Sequence, residues 1–210
     1  MKRRLSTHSA AAFRVGSGAL VAAACFACSN AAALTQGGGR ANPDPRVAFV
    51  GSELRGPAVN ACVTTSSEVC LNARDDNCNG LLDEGCGVPS GLVQFMVAWE
   101  RADADVDLHV TDPEGELVEV GRVTKSGLTK ERDCPGKGNV CGPWNLENVL
   151  QERSSPLKRG VYVVRIRLER SSNTEDPVEV NFSARLGPKT YGAEVELLTV
   201  SDERRFELQL

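Results

Sequence analysis

The chain has 210 residues, 41% of them apolar and only 5% aromatic, with eight cysteines and 24 basic against 28 acidic side chains. Four of the basic residues (Lys2, Arg3, Arg4 and Arg14) lie in the leader described next; without them 20 basic face 28 acidic residues, a net charge of −8. That balance excludes nucleic acid and an anionic membrane surface as electrostatic partners, and it suits metal cations and solubility outside the cytoplasm.

Residues 1–33 read as an export signal. The basic residues precede an apolar run of small side chains, Val15 to Ala27, followed by Ser29, Asn30 and Ala31-Ala32-Ala33. Such a run is too short to cross a bilayer as a stable helix. Two processing routes are open. Cleavage near Ala33 gives a secreted chain, whereas lipoprotein processing leaves Cys25 or Cys28 as an acylated first residue. One acyl chain gives modest membrane affinity. Ala22-Ala23-Ala24-Cys25 is the more permissive lipobox, but acylating Cys25 strands Cys28 as an odd thiol in an oxidising compartment. The expected location is the outer membrane or cell surface as a lipoprotein, or the exterior as a secreted protein. Any membrane contact is through that anchor alone.

Residues 34–60 have linker composition: Gly37-Gly38-Gly39, Pro43, Pro45, Gly51, Gly56 and Pro57 surround one short apolar patch, Val47 to Val50. A segment this polar and glycine-rich cannot bury enough apolar area to offset its ordering entropy.

Residues 61–87 form a cysteine-rich module. Cys62, Cys70, Cys78 and Cys86 recur at equal spacing, and no C-x-x-C pair favours zinc. The expected pairing is Cys70 with Cys78 and Cys62 with Cys86, among three possible connectivities. Inside the module Asp75, Asn77 and Asn79 alternate up to Gly80, followed by Leu81, Asp83 and Glu84. Oxygen side chains at the first, third and fifth positions, a glycine turn, a backbone carbonyl (Leu81) and a carboxylate (Asp83) are how a short loop wraps calcium. Cys86 stands where an EF-hand has its bidentate glutamate, so Glu84 is the substitute. Few carboxylates imply a weak site, roughly 10⁻⁴ to 10⁻³ M. The alternative is an Asx-rich turn held by disulfides.

From Leu92 the hydrophobic period becomes two. Val93, Phe95, Val97 and Trp99 alternate with smaller or polar residues, and the same holds for Val106 to Val110, Val164 to Leu168, Val178 to Leu186 and Phe206 to Leu210. Turns are marked by Asp112-Pro113-Glu114-Gly115, Lys158-Arg159-Gly160 and Gly187-Pro188. Seven or eight strands without a helical period predict an all-β fold, an antiparallel β-sandwich over 91–210. Ser126 to Gln151 reads as a long excursion between strands, closed by Cys134 and Cys141, and either functional or stapled for stability. Trp99 is expected in the core. Trp144 is expected to pack within the excursion, the alternative being an exposed indole that stacks on a sugar or a partner.

Asp103, Asp105 and Asp107 form a second acidic cluster. On a strand Asp105, Asp107 and His109 share a face, and close carboxylates repel unless a cation or donor intervenes. A calcium site at the strand's entry is one reading, with Asp112 or Glu147 as distant contributors; a solvated outer face is the other. His109 is the sole histidine after the leader, and no G-x-S-x-G elbow accompanies it, so no catalytic residue is assigned.

Two resemblances extend this reading. Glu68 to Cys86 resembles the MopE-type cysteine-containing metal-binding repeat of secreted proteins, E-x-C-x-N-G-x-D-D-D-C-D-G-x-x-D-E-x-C. It departs at Ala73, where the repeat has glycine, and at Asn77 and Asn79, where it has aspartates. Leu92 to Leu210 resembles YfaP-type secreted β-sandwiches. Trp99, Asp103 to Val110, Asp112 to Glu116, Gly142-Pro143, Glu147-Asn148 and Gly160-Val161-Tyr162 carry that likeness, which implies fold and export but no defined activity. The expectation is a non-enzymatic binding or structural protein of the cell envelope, its partner an unidentified envelope or extracellular protein or glycan. A metal-dependent or His109-based hydrolase and a carbohydrate-binding accessory module are the alternatives.

Overall fold

An alternating antiparallel strand buries one face and can leave the other to solvent, but here one sheet is covered on both faces. A computed structural model describes residues 67–136, 144–151 and 155–210, together with the backbone of Arg46–Phe49. The export signal, Cys25, Cys28, Cys62, Cys141 and most of the linker lie outside the described residues.

Nine strands follow one another: β1 (Arg46–Phe49), β2 (Val93–Trp99), β3 (Asp105–Thr111), β4 (Leu128–Arg132), β5 (Asn145–Gln151), β6 (Val161–Arg170), β7 (Val178–Leu186), β8 (Lys189–Leu197) and β9 (Glu203–Gln209). They form a four-stranded sheet in the order β1-β9-β6-β3 and a five-stranded sheet in the order β4-β5-β2-β7-β8. All strand pairs in both sheets are antiparallel, and the described residues contain no helix. The sheets face each other across one core, to which Phe95, Val97, Leu108, Ile166, Phe182, Leu186 and Phe206 contribute. Phe182 meets Phe206 at 4.7 Å and Phe95 meets Tyr162 at 5.6 Å between ring centroids, so aromatic pairs bridge the layers. Trp99 is buried in that core, as expected, and its indole N–H donates to the Ala104 carbonyl at 3.2 Å.

Three differences from the sequence reading matter. Arg46–Phe49, within the segment of linker composition, pairs with β9 from Arg46↔Gln209 to Phe49↔Phe206. The stretch from Ser126 to Gln151 is not one loop, since it contributes β4 and β5, which pair with each other. Trp144, expected to pack inside that stretch, is 51% exposed, because it precedes β5 rather than lying on it.

The second face of the five-stranded sheet is covered by the cysteine module. Every residue of β2 is buried. Met96 and Ala98 of β2 and Leu146 of β5 meet Ala73, Leu82 and Val88 in a second, smaller core. Burying Leu82 completely is worth about 2 kcal/mol, which a module of this size could not obtain without the sheet. Arg74 donates to Asn181 and pairs with Glu194, Asn181 donates to the Asn72 carbonyl at 3.1 Å, and Thr190 donates to Asp75 at 3.2 Å. These bonds stitch the module to β7 and β8.

Candidate functional site

The loop at Asp75 is organised by its own Asx groups. Asp75 is 7% exposed. One of its oxygens accepts from the Asn79 N–H at 3.0 Å and the other from the Gly80 N–H at 3.0 Å. The Asn77 side-chain oxygen also accepts from Asn79 N–H, and the Asn79 oxygen from Leu81 N–H at 2.8 Å. Gly80 sits at φ +83°, the left-handed turn that the pattern requires. The side-chain amides of Asn77 and Asn79 then converge on one oxygen of Glu84.

Glu68 completes this cluster. It accepts from the Asn77 N–H at 3.3 Å. One oxygen each of Glu68 and Glu84 is buried without a hydrogen-bond partner. Burial, followed by the neighbouring Glu84 charge, pushes the Glu68 carboxyl up to about 7. Two carboxylates, two amides and an Asx-ordered loop therefore meet in one place. Glu68 was not singled out as a ligand from sequence, although it opens the motif.

Asp83 belongs elsewhere. It is fully buried, and its carboxylate accepts three successive backbone N–H groups, from Leu71, from Asn72 at 3.2 Å and from Ala73 at 2.9 Å. Leu71 and Ala73 adopt φ of +65° and +55°, which turns those N–H groups onto the carboxylate. Burial raises the Asp83 carboxyl, and the three donors oppose that rise. The expected pairing is also corrected: Cys70 is bonded to Cys86, not to Cys78. The 75–80 loop closes through Asp75 and brings the module's two ends together, with the Cα atoms of Cys70 and Cys86 5.3 Å apart, inside the span a disulfide needs. Cys78 and Cys134 are each disulfide-bonded too, in separate bridges.

The second predicted cluster is divided by the structure. Asp103 is clamped by Arg101 through two bonds at 2.7 and 3.2 Å and accepts from the Ser172 hydroxyl and the N–H groups of Ser172 and Asn173. The Arg101 guanidinium and these donors hold its carboxyl far below the usual range. Asp105 lies 3.9 Å from Arg170, and burial and then the Asp107 charge raise its carboxyl. Asp112 is a turn anchor: it accepts from Glu114 N–H, Glu116 N–H and the Ser126 hydroxyl. Burial would raise its carboxyl, and those donors lower it on balance.

Asp107 instead meets residues from the other sheet. One oxygen each from Asp107, Asp133 and Glu147 lie within 4.8 Å of one another. Glu147, on β5, is fully buried and accepts from the free-edge N–H of Leu108 at 2.6 Å. Lys130, on β4 and 8% exposed, reaches Glu147 at 2.9 Å and Asp133 at 2.5 Å. Burial drives the Glu147 carboxyl well above its ordinary value, and the Lys130 charge only partly opposes it. Burial would also raise Asp133 and lower Lys130, but contacts with Glu147, and then with each other, leave Asp133 lowered and Lys130 raised.

His109 sits beside this group, its Nε2 3.6 Å from Asp107. Burial lowers its pKa, against the pull of Asp107. The charged groups acting on it are Asp107, Lys130, Arg165 and Glu169.

Lys130 and Asp133 escaped the sequence reading because each follows a charged or polar neighbour in an apparent loop. Glu147 carried a usable signal: a carboxylate inside the apolar run Leu146 to Leu150 has to find a partner. Compared with family models, with curated proteins and with solved structures, the chain matches none.

Proposed function

We propose that this is an exported, non-catalytic binding or structural module of the cell envelope, whose cysteine-rich segment is stapled by a calcium ion. One observation carries the reading: Glu68 and Glu84 each keep a buried oxygen without a hydrogen-bond partner, and the Glu84 charge acts on the Glu68 carboxyl. Like charges so placed repel, and a cation between them relieves the repulsion and satisfies both oxygens. In this reading the Glu68 and Glu84 carboxylates hold the ion, and the side-chain amides of Asn77 and Asn79, which donate to Glu84, position that carboxylate. Asp75 shapes the loop and Asp83 holds the backbone behind it.

Export is supported by the leader and by the disulfides, since a bonded Cys70–Cys86 pair persists in an oxidising compartment. The partner in this reading is an extracellular protein or glycan, and attachment to a membrane is through an acylated Cys25 or Cys28.

A thermal melt of the oxidised protein in EDTA, repeated over a calcium titration, tests the site. The melting temperature is expected to climb with calcium in the wild type and to stay flat in Glu84→Gln and Glu68→Gln. A wild-type melt indifferent to millimolar calcium sinks the reading.

A further inference from the structure

We propose that the seam between the two sheets holds a second divalent cation, bound by carboxylate oxygens of Asp107, Asp133 and Glu147, with His109 at its rim. This site is independent of the cysteine module.

Three separate elements deliver the ligands: β3 brings Asp107, the turn after β4 brings Asp133, and β5 brings Glu147. Their oxygens lie within 4.8 Å of one another. Oxygens on opposite sides of one calcium ion, each 2.3–2.6 Å from it, stand roughly 4.6–5.2 Å apart, so this spacing fits a shared ion.

Glu147 supplies an observation that the acidic cluster alone does not. The residue is completely buried. Its Oε2 is satisfied by the Leu108 N–H and by Lys130. Oε1 is buried without a hydrogen-bond partner, and the Glu147 side chain lies in contact with the Asp133 carboxyl. A buried acceptor is normally paired with a donor or a cation, and this oxygen has no such donor. Lys130 pairs with Asp133 and Glu147, while Asp107 faces His109 at 3.6 Å. Oxygen donors select a hard divalent ion of the calcium, magnesium or manganese kind.

The seam also explains why such a site has structural value. The outer edge of β3 would otherwise carry unpaired backbone groups, and Glu147 already caps Leu108 there. An ion shared by Asp107 and Glu147 ties that edge to the opposite sheet.

Manganese serves as the probe, because its unpaired electrons broaden nearby NMR signals. The oxidised, ¹⁵N-labelled protein is stripped with EDTA, dialysed and titrated with Mn²⁺, following the Leu108 and His109 signals and, separately, the side-chain amides of Asn77 and Asn79. Leu108 and His109 are expected to broaden below one equivalent, and to do so equally in Glu84→Gln, which disables the module's site. Asp107→Asn, which leaves the Lys130 contacts in place, is expected to raise the Mn²⁺ concentration needed at Leu108 at least tenfold. Glu147→Gln is expected to do the same. Signals at Leu108 and His109 that stay sharp at 1 mM Mn²⁺ overturn the proposal and mean that Asp133 and Glu147 share only a proton. Broadening that Asp107→Asn and Glu147→Gln leave unchanged overturns it equally, as binding at another surface.

Discussion

Replacing Asp83 by asparagine separates a ligand from a backbone clamp. The native carboxylate accepts the N–H groups of Leu71, Asn72 and Ala73 in full burial. Hydrogen bonds to a charged acceptor contribute about 1.5–3 kcal/mol each. Asparagine keeps one neutral oxygen, so at least one of the three donors loses its partner and the others are weakened. A loss of about 2–4 kcal/mol in local stability follows. Because Cys70–Cys86 still ties the ends of this segment, the loss should appear as local opening more than as global unfolding. At tenfold for each 1.4 kcal/mol, amide exchange at Leu71, Asn72 and Ala73 should quicken by roughly 30- to 800-fold. The acceleration should be the same in EDTA and in saturating calcium, and the calcium-induced rise in melting temperature should survive. Unchanged exchange in EDTA, combined with a lost calcium response, would refute the clamp and make Asp83 a metal ligand after all.

Three further outcomes follow from the geometry. Glu68 titrates near 7 in the folded protein against 4.5 as its ordinary value; the folded state therefore holds the proton more tightly, and stability in EDTA should be full below 4.5 and fall as pH rises towards 7. Melts at stepped pH check this, with calcium expected to remove the slope and a flat EDTA series refuting it. Lys130→Met leaves Asp133 and Glu147 without their ammonium and should cost about 3–5 kcal/mol in urea unfolding; adding Glu147→Gln should recover part of that, and strict additivity of the two losses would deny the coupling. Leu82→Ala hollows the small core between module and sheet, at about 2–5 kcal/mol; hydrogen exchange should show the loss concentrated in residues 67–88, and an evenly spread loss would mean that the module does not dock independently of the main core.

Two of the strands that sequence reveals show a clear contrast, and β2, though buried throughout, is legible from large side chains alternating with smaller or polar ones. β3 and β6 alternate between buried and half-exposed positions along their length, so their apolar residues stand out with period two. The strands that escaped detection lack both that contrast and an unbroken alternation of large apolar side chains. β5 is buried from Leu146 to Gln151 on both faces and carries Glu147 and Asn148 inside. β4 is short and ends in charges, and β8 runs through Gly192 and Glu194 at the sheet's edge. β1 hides in a glycine- and proline-rich stretch because its pairing with β9 comes from residues far away in sequence.

The candidate sites divide along the same line. The Asx loop was legible because its oxygens are near neighbours in the chain: side chains at alternate positions and a glycine with positive φ act over a few residues, and local sterics suffice to arrange them. An all-β fold was legible for a similar reason, since the pleat acts on consecutive residues. Asp83 and Glu84 are adjacent in sequence but turn to different partners, a difference that depends on how the module lies against Met96, Ala98 and Leu146. The meeting of Asp107, Asp133 and Glu147 depends on two sheets closing at one edge. Local periodicity carries no record of such distant contacts, because burial and the need to pair buried charge act only once the layers have packed.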